Sequence, residues 1–217
     1  MLKLSPSARR GDTLIEVLFA VSVFSLVAVS ALTIMNQGTA ISQRALETTL
    51  VRQEMSAQAD TLRFLHDSYI AAYQPGQIYD ASATPTTPAE EWQSMLEKIK
   101  NSATTVASDF DVQATCPSPP SHAFIMDSRN AKFVNSPSKM VVAPSFAQLT
   151  YTTSGGVQVL GQARGIWIEA IRSATNTADA YQANVGYIDF HIRSCWIGPG
   201  QATPITLGTI VRLYEPR

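Results

Sequence analysis

One carboxylate, Glu16, lies at the leading edge of a long apolar run, where a charge needs a chemical reason. Residues 17–43 contain no charged residue, and residues 17–35 consist of Leu, Val, Ile, Phe, Ala and Met with scattered Ser and Thr. A charged side chain costs about 2–3 kcal/mol at membrane depth and less near the interface. Glu16 therefore requires a partner that offsets the cost of its charge.

The two cysteines, Cys116 and Cys195, fit no zinc-binding or redox spacing. Two interpretations stay open, a disulfide and a pair of buried thiols that never meet. The bond would close a loop of 79 residues and would stabilise the domain by about 4–5 kcal/mol on the chain-entropy model. Export of the domain would favour the disulfide, because oxidising compartments keep such pairs bonded.

The other reactive side chains form no catalytic set and no metal-binding set. His66, His122 and His191 are isolated in the sequence, which has no Gly-rich phosphate loop and no nucleophile elbow. His191 shares a predicted strand face with Asp189 and Arg193, where a solvated histidine is the expected role. We therefore predict a protein that is not an enzyme and that uses no metal or cofactor.

Composition gives the chain no general affinity for polyanions. Its 217 residues carry a formal net charge of -1, so no nucleic-acid partner is predicted. Tyr187, Trp196 and Tyr214 could form an exposed aromatic surface for adhesion, although core packing accounts for most aromatic residues.

The apolar run has the length of a membrane span. Residues 17–35 would extend about 28 Å as a helix, close to the ~30 Å hydrocarbon core of a bilayer. No acid balances Lys3, Arg9 and Arg10 before Asp12. The positive-inside rule therefore keeps the N-terminus cytoplasmic and sends the C-terminus outward.

An ordinary secretory signal is the alternative interpretation of this segment. Residues 36–40 read NQGTA, which includes the small residues that a signal peptidase needs. Against it, the apolar run exceeds the usual ~7–15 residues and begins beside the charged Glu16.

Residues 9–18, RRGDTLIEVL, resemble the leader and cleavage motif of type IV pilins and pseudopilins. The resemblance implies that a membrane peptidase cuts between Gly11 and Asp12 and methylates the new N-terminus on Asp12. Glu16 then becomes the fifth mature residue, where the family keeps a glutamate that can pair with the terminal ammonium of a neighbouring subunit. The remaining matched residues are the assembly positions Thr13, Leu14 and Ile15 and the basic leader positions Lys3, Arg9 and Arg10.

The sequence departs from the family pattern at two points. The first mature residue would be Asp12, where the family usually has phenylalanine, and no proline lies between Pro6 and Pro75. The helix kink of many major pilins is therefore not expected here. The resemblance covers about the first 35 residues of the chain.

Helical periodicity continues beyond the apolar run and predicts one helix from Asp12 to about Tyr73, ended by Pro75 and Gly76. Apolar residues recur there at steps of three, four and seven, namely Leu46, Leu50, Val51, Met55, Leu62, Leu65 and Tyr69. This stripe predicts that the second half of the helix packs on a globular domain.

A second helix is predicted after a Ser/Thr/Pro/Ala linker at residues 80–88. Thr87 and Glu90 form a capping box, and Pro88 sits in the first turn. Its apolar stripe consists of Trp92, Met95, Leu96 and Ile99. An amphipathic helix lying on a sheet is the expected role.

From His122 onward, alternating apolar and polar residues predict antiparallel strands. Segments 149–153 and 157–160 flank Ser-Gly-Gly, which is a hairpin signal. Alternation also marks residues 166–170, 187–192 and 207–213, whereas residues 117–121, 135–145 and 173–184 are predicted loops. The expected fold class is α+β: a long N-terminal helix, membrane-spanning in its first half, packed on an antiparallel β-sheet head.

The resemblance implies a non-enzymatic minor pilin or pseudopilin of a type IV pilus-like filament. Its expected parts are a leader at residues 1–11, a transmembrane and assembly helix at 12–43, a continuation on the head at 44–73 and the head at 74–217. Its expected partners are a prepilin peptidase, the pilus assembly platform and other pilins in a helical filament.

This subunit would cross the bacterial cytoplasmic membrane once and then stand in an extracellular filament. Two alternatives stay open from the residues alone. One is a pseudopilin of a type II secretion or DNA-uptake system, and the other is an anchored binding or adhesion domain that never polymerises.

We predict that processing falls between Gly11 and Asp12. Intact-mass analysis of the purified membrane form should show the loss of residues 1–11, because the motif and the basic leader direct cleavage there. A mature N-terminus within residues 38–40 would contradict this prediction and favour an ordinary signal peptidase.

Overall fold

The computed structural model describes residues 12–74, 84–100, 115–172, 186–198 and 200–215. The predicted leader, the helix stop at Pro75 and Gly76 and the predicted loop at residues 173–184 lie outside the described residues. The helices are α1 (Asp12–Ala72) and α2 (Pro88–Lys100). The strands are β1 (Ile125–Asp127), β2 (Lys132–Val134), β3 (Met140–Val141), β4 (Gln148–Ser154), β5 (Val157–Arg164), β6 (Ile166–Arg172), β7 (Tyr187–Trp196) and β8 (Ile205–Tyr214).

The chain divides into two units, Met1–Ala45 and Leu46–Arg217, and the second is the head. In the first unit α1 exposes its large apolar side chains, and Phe24, for example, is 73% exposed. The hydroxyls of Ser22, Ser25 and Ser30 each donate to the carbonyl four residues earlier at 2.8 Å. These polar groups are therefore satisfied inside the helix, which is long and apolar enough to cross a membrane.

In the head, one face of α1 forms a wall of the hydrophobic core. The buried stripe consists of Val51, Met55, Ala59, Leu62, Leu65 and Tyr69, which confirms most of the predicted stripe. Leu46 does not belong to it, since it is 60% exposed, and Leu50 is half-buried. The 3.6-residue period rotates Leu46 away from the core, whereas Leu50 lies at the margin of the buried face.

The largest sheet is antiparallel in the order β6-β7-β8. Its inner face packs on the helices: Ser194 Oγ lies 3.4 Å from Met55 Sδ on α1, and the Phe190 ring lies 5.8 Å from Trp92 on α2. Opposite this lies the outer face, crossed by a row in which Glu169, His191 and Ile210 are cross-strand partners. The α+β class predicted from the sequence is therefore correct.

The capping box of α2 is confirmed. Glu90 N donates to Thr87 Oγ1 at 3.3 Å, and Thr87 N donates back to Glu90 Oε2 at 3.2 Å. Hydrogen bonds from Thr86 and Thr87 lower the pKa of Glu90. The apolar stripe of α2 faces the core as predicted, with Trp92, Met95 and Ile99 buried and Leu96 partly buried.

The β4–β5 hairpin is also confirmed, with Gly155 at φ 58° and Gly156 at φ 82°, as a type I′ turn requires. The predicted loop at residues 135–145 is wrong in part, because it contains β3. That strand pairs parallel with β5, with Met140 opposite Ala163. A strand of two residues is too short to show alternating apolar and polar residues. β3 therefore depends on its backbone pairing with β5, which local sequence does not reveal.

Gly165 carries the chain from β5 into β6 and so joins two sheets. Its φ is +66°, and an added Cβ would lie 2.4 Å from the Cys195 carbonyl oxygen and 2.8 Å from Ala143 Cβ. Gly165 N also donates to Val141 O at 2.7 Å, and Cys195 N donates to Gly165 O at 2.9 Å. Only glycine fits this crossing, because both the backbone angle and the space exclude a side chain.

We predict that Gly165→Ala lowers the free energy of unfolding by about 3–5 kcal/mol, from the left-handed angle together with a backbone clash. Gly155→Ala is the matched control: its φ is +58° and no atom lies within 4 Å of an added Cβ. It should cost only about 1–2 kcal/mol.

Urea unfolding followed by tryptophan fluorescence measures both variants in the full chain. The three tryptophans are reporters of the head, because none is more than 2% exposed. Equal losses of unfolding free energy in the two glycine variants would show that a Cβ at position 165 meets no steric clash.

Candidate functional site

The N-terminal stretch of α1 contains the predicted assembly residues. Asp12 is the first residue of α1, while Lys3, Arg9, Arg10 and Gly11 lie outside the described residues. Leu14 and Ile15 are 67% and 69% exposed, and Glu16 is exposed beside them. The cleavage, methylation and assembly roles of these residues remain predictions.

Exposure of this helix has a chemical consequence. Large apolar side chains are exposed along it from Leu14 to Ile41, and water is a poor solvent for a surface of that extent. The two environments that would accept it are lipid and the apolar faces of other helices. Glu16 is the one acid placed among these side chains.

The head carries the predicted disulfide between Cys116 and Cys195, whose Cα atoms lie 5.6 Å apart. Cys195 is fully buried on β7, and Trp167, its near neighbour on the outer face, is 2% exposed. His122 lies on the same face, with Nε2 3.5 Å from Glu169 Oε2. The disulfide thus bonds the segment that includes Cys116 and His122 to the outer face, and His122 contacts that face again beside Glu169.

Beneath this segment lies a buried cluster centred on Glu169, which is 0% exposed. Arg193 Nη1 lies 3.1 Å from Glu169 Oε1, and Trp167 Nε1 donates to the same oxygen at 3.1 Å. This arrangement is a structural ion pair, because Arg193 balances the charge of the buried carboxylate and Oε1 has two donors.

The sequence did not reveal this cluster. The alternation of apolar and polar residues predicts that Trp167 and Glu169 lie on the sheet face opposite the helix. It also predicts that Arg193 lies on a face exposed to solvent. The missed signal was the cysteine pair: Cys195 shares the face of Arg193, so a bond from Cys116 necessarily brings chain over that face.

Further along the outer face, exposure rises toward β8. Arg212 donates to both carboxylate oxygens of Asp189 at 2.7 Å and stacks 4.1 Å from the centre of the Tyr187 ring. The hydrogen bonds from Arg212 lower the pKa of Asp189. Partial burial lowers the pKa of His191, and the charge of Arg193 lowers it further.

The predicted aromatic surface is therefore only partly present. Tyr187 and Tyr214 lie together, with ring centres 6.1 Å apart, but Trp196 is 0% exposed. Its Nε1 donates to Glu47 Oε2 on α1 at 3.2 Å, which explains why this tryptophan is in the core rather than on the surface.

The head also contains a cavity of about 340 Å³ between α1 and β4, lined by Leu50, Gln53, Glu54, Ala57, Phe146 and Gln148. Burial raises the pKa of Glu54, and the charge of Arg129 offsets part of this rise. A lining with one acid and no base or nucleophile provides no catalytic pair. In the described part of the chain, no group of three or more His, Cys, Asp or Glu residues could hold a metal ion.

Comparison with protein-family models, with curated proteins and with solved structures finds no match for this chain. Its function must therefore be argued from its own residues.

We predict that the double variant Cys116→Ser/Cys195→Ser loses about 4–5 kcal/mol of unfolding free energy, because the bond closes a long loop in the unfolded chain. Urea unfolding of the full chain measures the loss. Wild-type protein treated with reductant should match the double variant, and reductant should leave that variant unchanged. Two alkylatable thiols in the native exported protein would contradict the bond itself.

Proposed function

We propose that this chain is a minor pilin or pseudopilin, a non-enzymatic structural subunit of a type IV pilus-like filament. A prepilin peptidase removes residues 1–11, and the apolar helix then anchors the subunit in the cytoplasmic membrane with its N-terminus inside. The assembly platform moves it into a filament outside the cell, where it packs against other pilins.

The observation that carries this proposal is the change of environment along α1. It is one helix from Asp12 to Ala72, apolar and exposed in its first unit yet buried on one face in the head. A soluble domain has no use for the exposed part. A filament subunit does, because that part packs among its neighbours while the rest of the helix holds the head.

Two further features support the proposal. The Cys116–Cys195 disulfide suits a domain exported to an oxidising compartment. The head retains a core of its own, built from α1, α2 and the strands, so it can stand outside a filament. Its size, beyond that of the simplest pilin heads, favours a minor or initiating subunit over the bulk subunit.

Glu16 distinguishes this function from a simple membrane anchor. In the proposed filament, the terminal ammonium of a neighbour neutralises the carboxylate and fixes the axial position of the incoming subunit. Asp12 places a second carboxylate beside that ammonium and competes for it. An anchored binding domain would need neither Glu16 nor Gly11.

We predict that Glu16→Ala and Glu16→Gln lower recovery of the protein in sheared filaments by at least about tenfold, since each leaves a buried ammonium without its partner. Leader cleavage and membrane insertion should continue, because neither depends on the pairing. Quantitative immunoblots of the sheared fraction and of the membrane fraction measure both steps.

Ser25→Ala is the matched control for this test. It also removes a polar group from the apolar helix, but Ser25 Oγ already donates to Val21 O in the same helix. Its assembly should stay at the wild-type level. If both Glu16 variants assemble as well as the control, the docking role is wrong and an anchored binding domain becomes the better interpretation.

A further inference from the structure

The cavity between α1 and β4 is a feature of the head that the proposed filament role does not use. Its volume of about 340 Å³ lies at the lower end of the range of small-ligand sites, about 300–1,000 Å³. Such sites usually combine apolar walls with a few convergent polar groups. This lining has both kinds, the apolar Leu50, Ala57 and Phe146 and the polar Gln53, Glu54 and Gln148.

One wall of the cavity is fixed by α1. Leu50, Gln53, Glu54 and Ala57 are spaced so that they lie on one side of the helix. They flank the buried stripe, which holds this part of α1 in the core. On the opposite wall, Gln148 is the first residue of β4. The polar groups of the lining are therefore carried by rigid elements, as a binding site requires.

Glu54 is the one charged residue in this lining. Its side chain is partly buried, yet none of the described residues forms a hydrogen bond or a close ion pair with its carboxylate. The cation whose charge acts on it is Arg129. Arg129 makes its close contacts elsewhere, because it donates to Gln158 Oε1 and lies 4.0 Å from the centre of the Tyr151 ring.

The Glu54 carboxylate destabilises the head when no ligand is bound. Burial raises the pKa of Glu54 more than the charge of Arg129 lowers it, so the environment disfavours the charged form. The buried carboxylates Glu47, Asp127 and Glu169, in contrast, each accept hydrogen bonds from the same chain. A cation bound in the cavity would give Glu54 the partner that the described part of the chain does not provide.

We propose that this cavity binds a primary ammonium group carried on a short apolar chain. The ammonium pairs with the Glu54 carboxylate and donates its other protons to the side-chain oxygens of Gln53 and Gln148. Leu50 and Phe146 cover the apolar chain. The site lies wholly within the head, so it does not depend on the filament role.

The lining disfavours the other common classes of ligand. An anion would meet the negative charge of Glu54 and no base. A neutral ligand would take water from Glu54 and leave its charge unpaired. A calcium ion takes about 6–8 oxygen ligands, more than the one carboxylate and two amides of this lining supply.

Ligand-observed NMR tests the proposal on the full-length protein in dodecyl maltoside, a detergent without a charged group that would compete. The probes are Nα-acetyl-lysine methylamide, whose side chain is an alkyl ammonium, and its neutral Nε-acetyl derivative. The charged probe should bind at least about tenfold more tightly, because hydrogen bonds between charged groups are stronger than those between neutral groups.

Glu54→Gln should weaken binding of the charged probe at least about tenfold, since it keeps the shape of the side chain and loses the charge. Asp60→Asn is the matched control. It removes one acid from the same helix, but Asp60 is exposed and pairs with Arg63 instead. Binding to this variant should stay at the wild-type level.

The urea midpoint of the head separates a binding role of Glu54 from a structural one. Glu54→Gln should leave the midpoint unchanged or raise it, because the variant removes a partly buried charge that lacks a donor in the described part of the chain. A fall in the midpoint greater than that of Asp60→Asn would show that Glu54 stabilises the head through Arg129, and would overturn the proposal.

n-Butylamine distinguishes the two sources of such an ammonium, because it carries the group without a peptide. Equal affinities of n-butylamine and the lysine probe would support a site for a small free amine. Binding of the lysine probe that is at least about tenfold tighter would support a site for a lysine side chain of another polypeptide.

Three binding results would overturn the proposal. These are equal binding of the charged and neutral lysine probes, equal binding to the wild type and to Glu54→Gln, and no saturable binding of either amine up to about 10 mM.

Discussion

Burial of one face of α1 against the strands of the head is the interaction on which the rest of the structure depends. Val51, Leu62 and Leu65 are fully buried, and each such side chain contributes about 1.5–3 kcal/mol relative to exposure. The inner face of the β6–β8 sheet, with Phe190 and Ile192 at its centre, has α1 and α2 as its cover. Without α1 the sheet would expose a continuous apolar surface, so the helix and the head form one folding unit from Leu46 onward.

Apolar burial alone does not fix where a helix lies along a sheet, because it has no direction. Buried polar contacts supply that information here. Gln58 is 0% exposed and exchanges two hydrogen bonds with the Met126 backbone, at 2.8 and 2.9 Å. Glu47 accepts from Trp196 at the other end of the helix face. A shift of α1 by one residue would leave these groups unpaired, at about 1–3 kcal/mol each.

Local sequence was enough to predict the elements whose signals are local. The Thr87–Glu90 cap, the Gly155–Gly156 turn and the stripe from Val51 to Tyr69 each depend on residues close in the chain, and each was found. β3 and the buried cluster around Glu169 depend on partners far along the chain. Alternation reports only that a residue lies on a face. It cannot report whether a distant segment, here the one that carries His122, covers that face.

The candidate site follows the same division. The motif in the sequence predicts the role of Glu16 in the apolar helix. Partners for carboxylates that come from the same chain are seen in the head. There, the described buried carboxylates all have donors from the same chain. These pairs are Glu169 with Arg193 and Trp167, Glu47 with Trp196, and Asp127 with Asn130 and Leu160. Glu16 lies instead among exposed apolar side chains.

Contacts between apolar helices do not fix their relative position along the helix axis. The contact between α1 and the sheet would have the same freedom without buried polar groups such as Gln58. Under the proposed function, the terminal ammonium of a neighbouring subunit fixes the position of Glu16, just as the Met126 backbone fixes the position of Gln58. One polar contact inside an apolar interface then sets the register of the whole assembly.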